Sequence, residues 1–227
     1  MDDRHSILDS ITGAFVPIHP DGRKFVFGAA GVTLLLFLLT GPLGWLGVIA
    51  TAYCAYFFRD PPRVTPKRAG LVVSAADGRI TGVGKVPPAA ELGLPGTMAT
   101  RISVFLSVLD VHIVRAPVGG KLVRSRYVPG KFLNAELDKA SEENERLALV
   151  IETPAGGKIG LILIAGLIAR RIVTFVKEGD SVEAGQRIGL IRFGSRADVY
   201  LPDGAEPLVE IGQIAVSGET VLAQSVR

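Results

Sequence analysis

The chain has 227 residues, 25 Lys and Arg against 22 Asp and Glu, 21% charged residues and an isoelectric point near 9.1. This suits one folded domain with an appendage and excludes an intrinsically disordered chain. The small basic excess, with no aromatic–basic stripe, argues against nucleic acid and suits an anionic membrane surface better. A single cysteine, Cys54, excludes a disulfide framework and a thiolate zinc site, and three histidines (His5, His19 and His112) leave little room for a histidine-rich metal site.

The first element is apolar. The run 25–58, "FVFGAAGVTLLLFLLTGPLGWLGVIATAYCAYFF", carries no charge from end to end. A signal peptide does not fit, because the run is too long and starts well inside the chain. Gly41-Pro42 divides it into two stretches, each about 24 Å long as helix, slightly short of a ~30 Å hydrocarbon core. Arg23 and Lys24 precede the run, and Arg59, Arg63, Lys67 and Arg68 follow it. Positive charge on both flanks predicts a membrane-associated helical hairpin with both ends on the cytoplasmic side of a cell membrane. The competing reading is a buried core hairpin, which such a length without charge disfavours. The expected division is a terminal segment 1–24, the hairpin 25–58 and a body 59–227.

After Arg68, short Val- and Ile-rich runs alternate with Gly, Pro and Asp turns: "LVVSAADGRITGVG", "RISVFLSV", "VHIVRAPVGGKLV", "KIGLILIAG". This punctuation predicts a mostly β (α+β) body of the sandwich or barrel kind. The stretch 131–150, "KFLNAELDKASEENERLALV", reads as a short helix or polar excursion, with Glu142, Glu143 and Glu145 on a solvated face. In "LDVHIV", strand alternation would send Asp110 and His112 to the face opposite Val111 and Ile113. A weak repeat follows: Val176, Gly179, Val182, Gly185 and Ile188 match Val209, Gly212, Ala215, Gly218 and Val221 at one constant offset. Two such units pack as related halves. They resemble the hammerhead hairpins of biotinyl and lipoyl carrier domains, but the second unit has no lysine and Lys177 precedes the turn.

Ser195, in "RFGSRADVYLP", lies between these units. A nucleophile elbow needs glycine two places before and after the serine, where Phe193 and Ala197 stand; taken alone, Ser195 reads as a loop serine. Yet "RFGSRADVYLP" with "GQIAVSGETVLA", preceded by "PIHPDGR", "FFRDPPR", "SAADGRI" and "SVLDVHIVRAPVGG" in the same order, resembles the short form of the phosphatidylserine decarboxylase proenzymes over nearly the whole chain.

The resemblance implies self-processing. Ser195 attacks the carbonyl of Gly194, the resulting ester eliminates, and a covalent pyruvoyl group caps a small α subunit, residues 195–227, leaving a β subunit, residues 1–194. That ketone takes the substrate amine as a Schiff base and accepts electrons as carbon dioxide leaves, turning phosphatidylserine into phosphatidylethanolamine with no external cofactor or metal. It further implies His112 as the acid or base of decarboxylation and Asp77 as a helper of self-cleavage; as residues alone, these read as a structural strand histidine and a turn aspartate. Longer family members carry a second histidine where this chain has Arg115. Either His112 serves both steps or Arg115 contributes electrostatically. Phosphatidylserine, the bilayer and the two fragments of one precursor are the expected partners, and further homo-oligomerisation stays open. The rival reading is a membrane-tethered hammerhead adaptor without chemistry, which needs neither His112 nor the Gly194-Ser195 pair. A pyruvoyl enzyme for a soluble amino acid is disfavoured by the hairpin.

Overall fold

The computed structural model describes residues 16–131, 143–166, 171–192 and 195–224. They belong to two compact units, Met1–Pro62 and Arg63–Arg227.

In the first unit, helix α1 (Pro20–Leu39) and helix α2 (Gly41–Phe57) meet at Thr40. α1 begins before the charge-free run because Pro20 occupies its first turn and the His19 ring accepts the Asp21 N–H at 3.3 Å. Thr40 caps α2 by accepting the Leu43 N–H at 3.4 Å. The expected hairpin forms, and small residues set its seam. Gly44 lies so close to the Phe37 ring that a Cβ would collide with it, and Thr33 Oγ1 is 2.9 Å from Thr51 Oγ1 across the helices. Phe25 stacks on Phe58 at 5.3 Å at the open end. Phe27, Leu34, Leu38, Trp45 and Ile49 face outward and exposed, so this is not the buried core helix pair of a soluble protein. At 20 residues α1 is long and apolar enough to cross a membrane.

The second unit is β-rich. Its strands are β1 (Leu71–Val73), β2 (Gly78–Val86), β3 (Ala99–Leu106), β4 (Ile113–Arg115), β5 (Gly120–Val128), β6 (Arg146–Glu152) and β7 (Lys158–Ala165), followed by β8 (Ile172–Thr174), β9 (Ser181–Val182), β10 (Arg187–Ile191), β11 (Ser195–Leu201), β12 (Glu206–Pro207), β13 (Ile214–Ala215) and β14 (Val221–Gln224). Eight form one curled antiparallel sheet in the order β13-β2-β3-β11-β7-β6-β5-β9, with β4-β10-β8 and β1-β14-β12 as small companions. The period of two divides the sheet's faces. Val104, Leu106, Leu163 and Ala197 enter the main core, whereas Ile162, Ile164 and Tyr200 join a second cluster with Leu92 from the short 3-10 turn Ala90–Leu92.

The repeat is real, and it extends further than the two matching turns. Gly179 and Gly212 both have φ +97°, and Gly185 and Gly218 have +76° and +77°, a backbone region that favours glycine. Their amides dock equivalently: Gly179 to Leu122 O and Gly212 to Ile80 O, Gly185 to Ala116 O and Gly218 to Ser74 O. The acceptors define a second correspondence, Ile80 with Leu122 and Ser74 with Ala116, which relates β2 to β5. Each of these strands starts on a glycine (Gly78, Gly120) and carries a register shift near its start, between Ile80 and Gly82 or between Leu122 and Arg124. The unit therefore has two pseudo-equivalent halves.

The region 131–150 departs from expectation. Arg146–Glu152 is strand β6, because its Leu and Val residues fill both cores. Glu143 is exposed and pairs with Lys131 at 2.9 Å, but Glu145 is 7% exposed, so the acidic group is not one solvated face. Glu142 lies outside the described residues.

Candidate active site

Ser195 opens β11 between two strands, opposite Leu106 of β3 and Ala165 of β7. It shares the face of Ala197 and Val199 and is fully buried. Its Oγ has no hydrogen-bond partner among the described residues. A buried unsatisfied hydroxyl is unfavourable by about 1–3 kcal/mol and calls for an explanation. Gly194 lies outside the described residues.

Asp77 reaches the same row of the sheet. Continuing the β2–β3 register by one residue from Arg79↔Phe105 puts Gly78 opposite Leu106, the partner of Ser195. Gly78 has φ +148°, and a Cβ there would collide with the Phe105 carbonyl oxygen, so only glycine brings the preceding aspartate so near the sheet. The Asp77 carboxylate is held at both oxygens: Oδ2 accepts from Arg63 Nη2 at 2.6 Å and Oδ1 from the Ser217 amide at 2.7 Å. Ser217 Oγ in turn donates to Ala75 O at 3.0 Å.

His112 follows β3 at the same, Leu106 end. The turn after Leu106 is closed by Asp110, whose Oδ2 accepts the Ser107 N–H at 2.7 Å. His112 is not in a strand; it precedes β4, and Val111, His112 and Ile113 are all buried, so the expected alternation does not hold here. Its Nδ1 lies 2.9 Å from the Asp110 carbonyl oxygen. A carbonyl only accepts, so Nδ1 carries the proton and Nε2 is the basic nitrogen. The His112 carbonyl accepts the Ile191 N–H at 3.1 Å, which ties the histidine to the chain segment running into Ser195.

Arg115 is 6% exposed and donates from Nη1 to Gly185 O at 3.0 Å, while its amide bonds Ala75 O at 2.9 Å. It latches one repeat turn against the Asp77 loop. Asn144 and Glu145 adjoin Ala165, with Asn144 Nδ2 donating to Ala165 O at 2.8 Å and the Ala165 amide donating to Glu145 O at 2.9 Å. Neither was legible beforehand, because an Asn-Glu pair in a charged stretch carries no periodic signal. On the sheet's opposite face, burial first and then the Asp198 charge push the Tyr200 phenol above its ordinary range, while Arg101 and Arg196 act the other way. There Arg196 grips Asp198 through two contacts of 2.9 Å.

A buried serine hydroxyl with no partner among the described residues, at the start of a strand whose neighbour β3 ends where the Asp77 and His112 segments adjoin it, suits chemistry on the chain itself. A family model described as phosphatidylserine decarboxylase matches residues 50–223. The chain belongs to the phosphatidylserine decarboxylase family. It is 58% identical over 214 residues to a phosphatidylserine decarboxylase proenzyme of Nitrobacter winogradskyi, covering 94% of this chain and 87% of that protein. It is 56% identical over 216 residues to a protein of the same name from Cereibacter sphaeroides, covering 95% and 93%. The resemblance carried by the sequence motifs is thereby shown; in this member of the decarboxylase family Ser195 and Gly78, which follows Asp77, lie opposite Leu106, and His112 lies in the segment that follows Leu106.

Proposed function

We propose that this chain is a self-processing carboxy-lyase that converts phosphatidylserine to phosphatidylethanolamine in phospholipid synthesis. Beyond family membership, the observation that carries this reading is the buried Ser195 hydroxyl, which has no partner among the described residues. The adaptor reading leaves that atom unexplained.

Ser195 Oγ bonds to the Gly194 carbonyl carbon, the Gly194–Ser195 C–N bond breaks, and the freed amine takes the serine proton. Loss of the Ser195 Cα proton then breaks the Cβ–O bond, releasing Gly194 as a carboxylate and leaving dehydroalanine. Water replaces the nitrogen, ammonia departs, and a pyruvoyl cap remains. Asp77, its carboxylate held by Arg63 and the Ser217 amide, assists transfer of the serine proton to the departing amide nitrogen. The site fits the cap: it forms on a residue already enclosed between β3 and β7.

The pyruvoyl group supplies an electron sink adjacent to an amide, the role pyridoxal phosphate plays elsewhere. The chain's own residues do the rest. His112 Nε2, its tautomer set by the Asp110 carbonyl, handles the proton at the substrate α carbon. After cleavage β11 belongs to the small α subunit yet stays paired along both edges, which holds the two fragments together without a covalent link. The hairpin unit, Met1–Pro62, keeps the enzyme on the cytoplasmic face of the membrane where its substrate resides, since each acyl methylene taken from the bilayer costs about 0.8 kcal/mol. The test is phosphatidylethanolamine formation from phosphatidylserine vesicles. Wild type is active and Ser195→Ala forms none; equal activity in both overturns the reading.

A further inference from the structure

Asn144 and Glu145 are built into the row beside Ser195. Asn144 is fully buried and donates from Nδ2 to the Ala165 carbonyl at 2.8 Å, and the Ala165 amide donates to Glu145 O at 2.9 Å. Ala165 is the last residue of β7 and the register partner of Ser195. Glu145, also buried, accepts the Ile172 N–H on Oε1 at 3.4 Å. Ile172 starts β8 and pairs with Ile191, whose amide donates to the His112 carbonyl. Two adjacent residues thus grip one strand end that leads to Ser195 and one that leads to His112.

The grip is itself anchored. Lys131 N donates to Glu143 O at 2.7 Å, and Glu145 N donates to Lys131 O at 3.0 Å. Gly130 lies so near that a Cβ would collide with the peptide between Asn144 and Glu145. The Tyr127 phenol is raised by partial burial first and by the Glu145 carboxylate second, with Arg171 opposing. A solvated acidic turn needs none of this. Placing Asn144 and Glu145 in the interior is unfavourable unless their bonds are kept, and the bonds they keep end at the strand termini that frame the two reacting segments.

We propose that Asn144 and Glu145 are positioning residues for Ser195. They fix the β7 and β8 ends so that β11 begins in the geometry self-processing requires, and they set its rate without touching the reacting atoms. This rests on the self-processing reading above. Asparagine is needed because only its amide donates to Ala165 O; aspartate would set acceptor against acceptor. Glutamate acts through an acceptor oxygen, which glutamine also supplies.

The test follows the conversion of freshly made full-length chain into two fragments by intact mass, with thermal unfolding measured on the same samples. For Asn144→Asp, conversion slows at least about tenfold, the scale of one hydrogen bond to a buried carbonyl, while the thermal midpoint stays within a few degrees of wild type. Glu145→Gln converts at the wild-type rate and Glu145→Leu does not; this pair decides the matter if Asn144→Asp fails to fold. Wild-type conversion in both Asn144→Asp and Glu145→Leu overturns the proposal. So does slowing that only tracks a fallen midpoint, or Glu145→Gln being as slow as Glu145→Leu. A wild-type chain that never splits fails with both residues intact, and so marks failure of the underlying self-processing reading.

Discussion

Asp77 and Gly119 hold the same place in the two pseudo-equivalent halves of the β-rich unit. Each precedes the glycine that starts a long strand, Gly78 or Gly120, and each faces one of the two repeat turns, Asp77 accepting from the Ser217 amide and Gly119 lying against Ala184. Ser217 and Ala184 are themselves equivalent positions of the two repeat turns. Only one half places a carboxylate there, and it is the half whose β3 flanks Ser195. The fold offers two similar cradles, and the side chains arm one.

Asp77→Asn keeps an acceptor for the Ser217 amide and removes the charge that faces Arg63. The expected outcome is a folded chain whose conversion to two fragments is slowed by about tenfold or more. Timed mass spectra check this; conversion at the wild-type rate would remove Asp77 from processing.

Gly78→Ala forces a side chain onto the Phe105 carbonyl at φ +148°. It should lower the thermal midpoint by roughly 5–10 °C and leave precursor unprocessed. Gly84→Ala, where a Cβ meets nothing within 4 Å, is the matched control and should unfold like wild type in calorimetry.

For His112→Ala, turnover of phosphatidylserine by already processed enzyme should fall by about 10²–10⁴, the usual range for loss of a proton-transfer group. Arg115→Met should act differently. Its guanidinium holds the Gly185 carbonyl, so the thermal midpoint drops by roughly 2–8 °C while KM on processed enzyme is unchanged. A raised KM would mean that Arg115 binds the substrate phosphate.

The exposed Phe27, Leu34, Leu38, Trp45 and Ile49 of the hairpin predict vesicle binding that survives high salt. At ~1 M salt, screening reduces the reach of charges to about 3 Å, so purely electrostatic attachment would be stripped. Release of the chain by salt in a flotation assay would contradict a hydrophobic anchor.

Much of this was legible in the sequence, for identifiable reasons. The hairpin announced itself by the unbroken absence of charge from Phe25 to Phe58, and the β-rich body by short apolar runs between turn residues. The repeated turns showed because glycines at φ near +97° and +77° cannot readily be replaced. Their counterpart in β2 and β5 did not show, because those strands share backbone geometry but little side-chain identity. Ser195, His112 and Asp77 were reachable only through the family motif; that Ser195 and Gly78 lie opposite one residue, Leu106, follows from strand register, which no local spacing encodes. Glu145 was misplaced because composition cannot distinguish a solvated carboxylate from one buried on backbone amides.

Whether Ser195 is a precursor rather than a finished side chain is read from an intact-mass spectrum of the purified protein under denaturing conditions. The expected result is two fragments, residues 1–194 and 195–227, the smaller one lighter by one ammonia than a peptide beginning with serine. A single unbroken chain of full mass, persisting through long incubation with membranes, would contradict it.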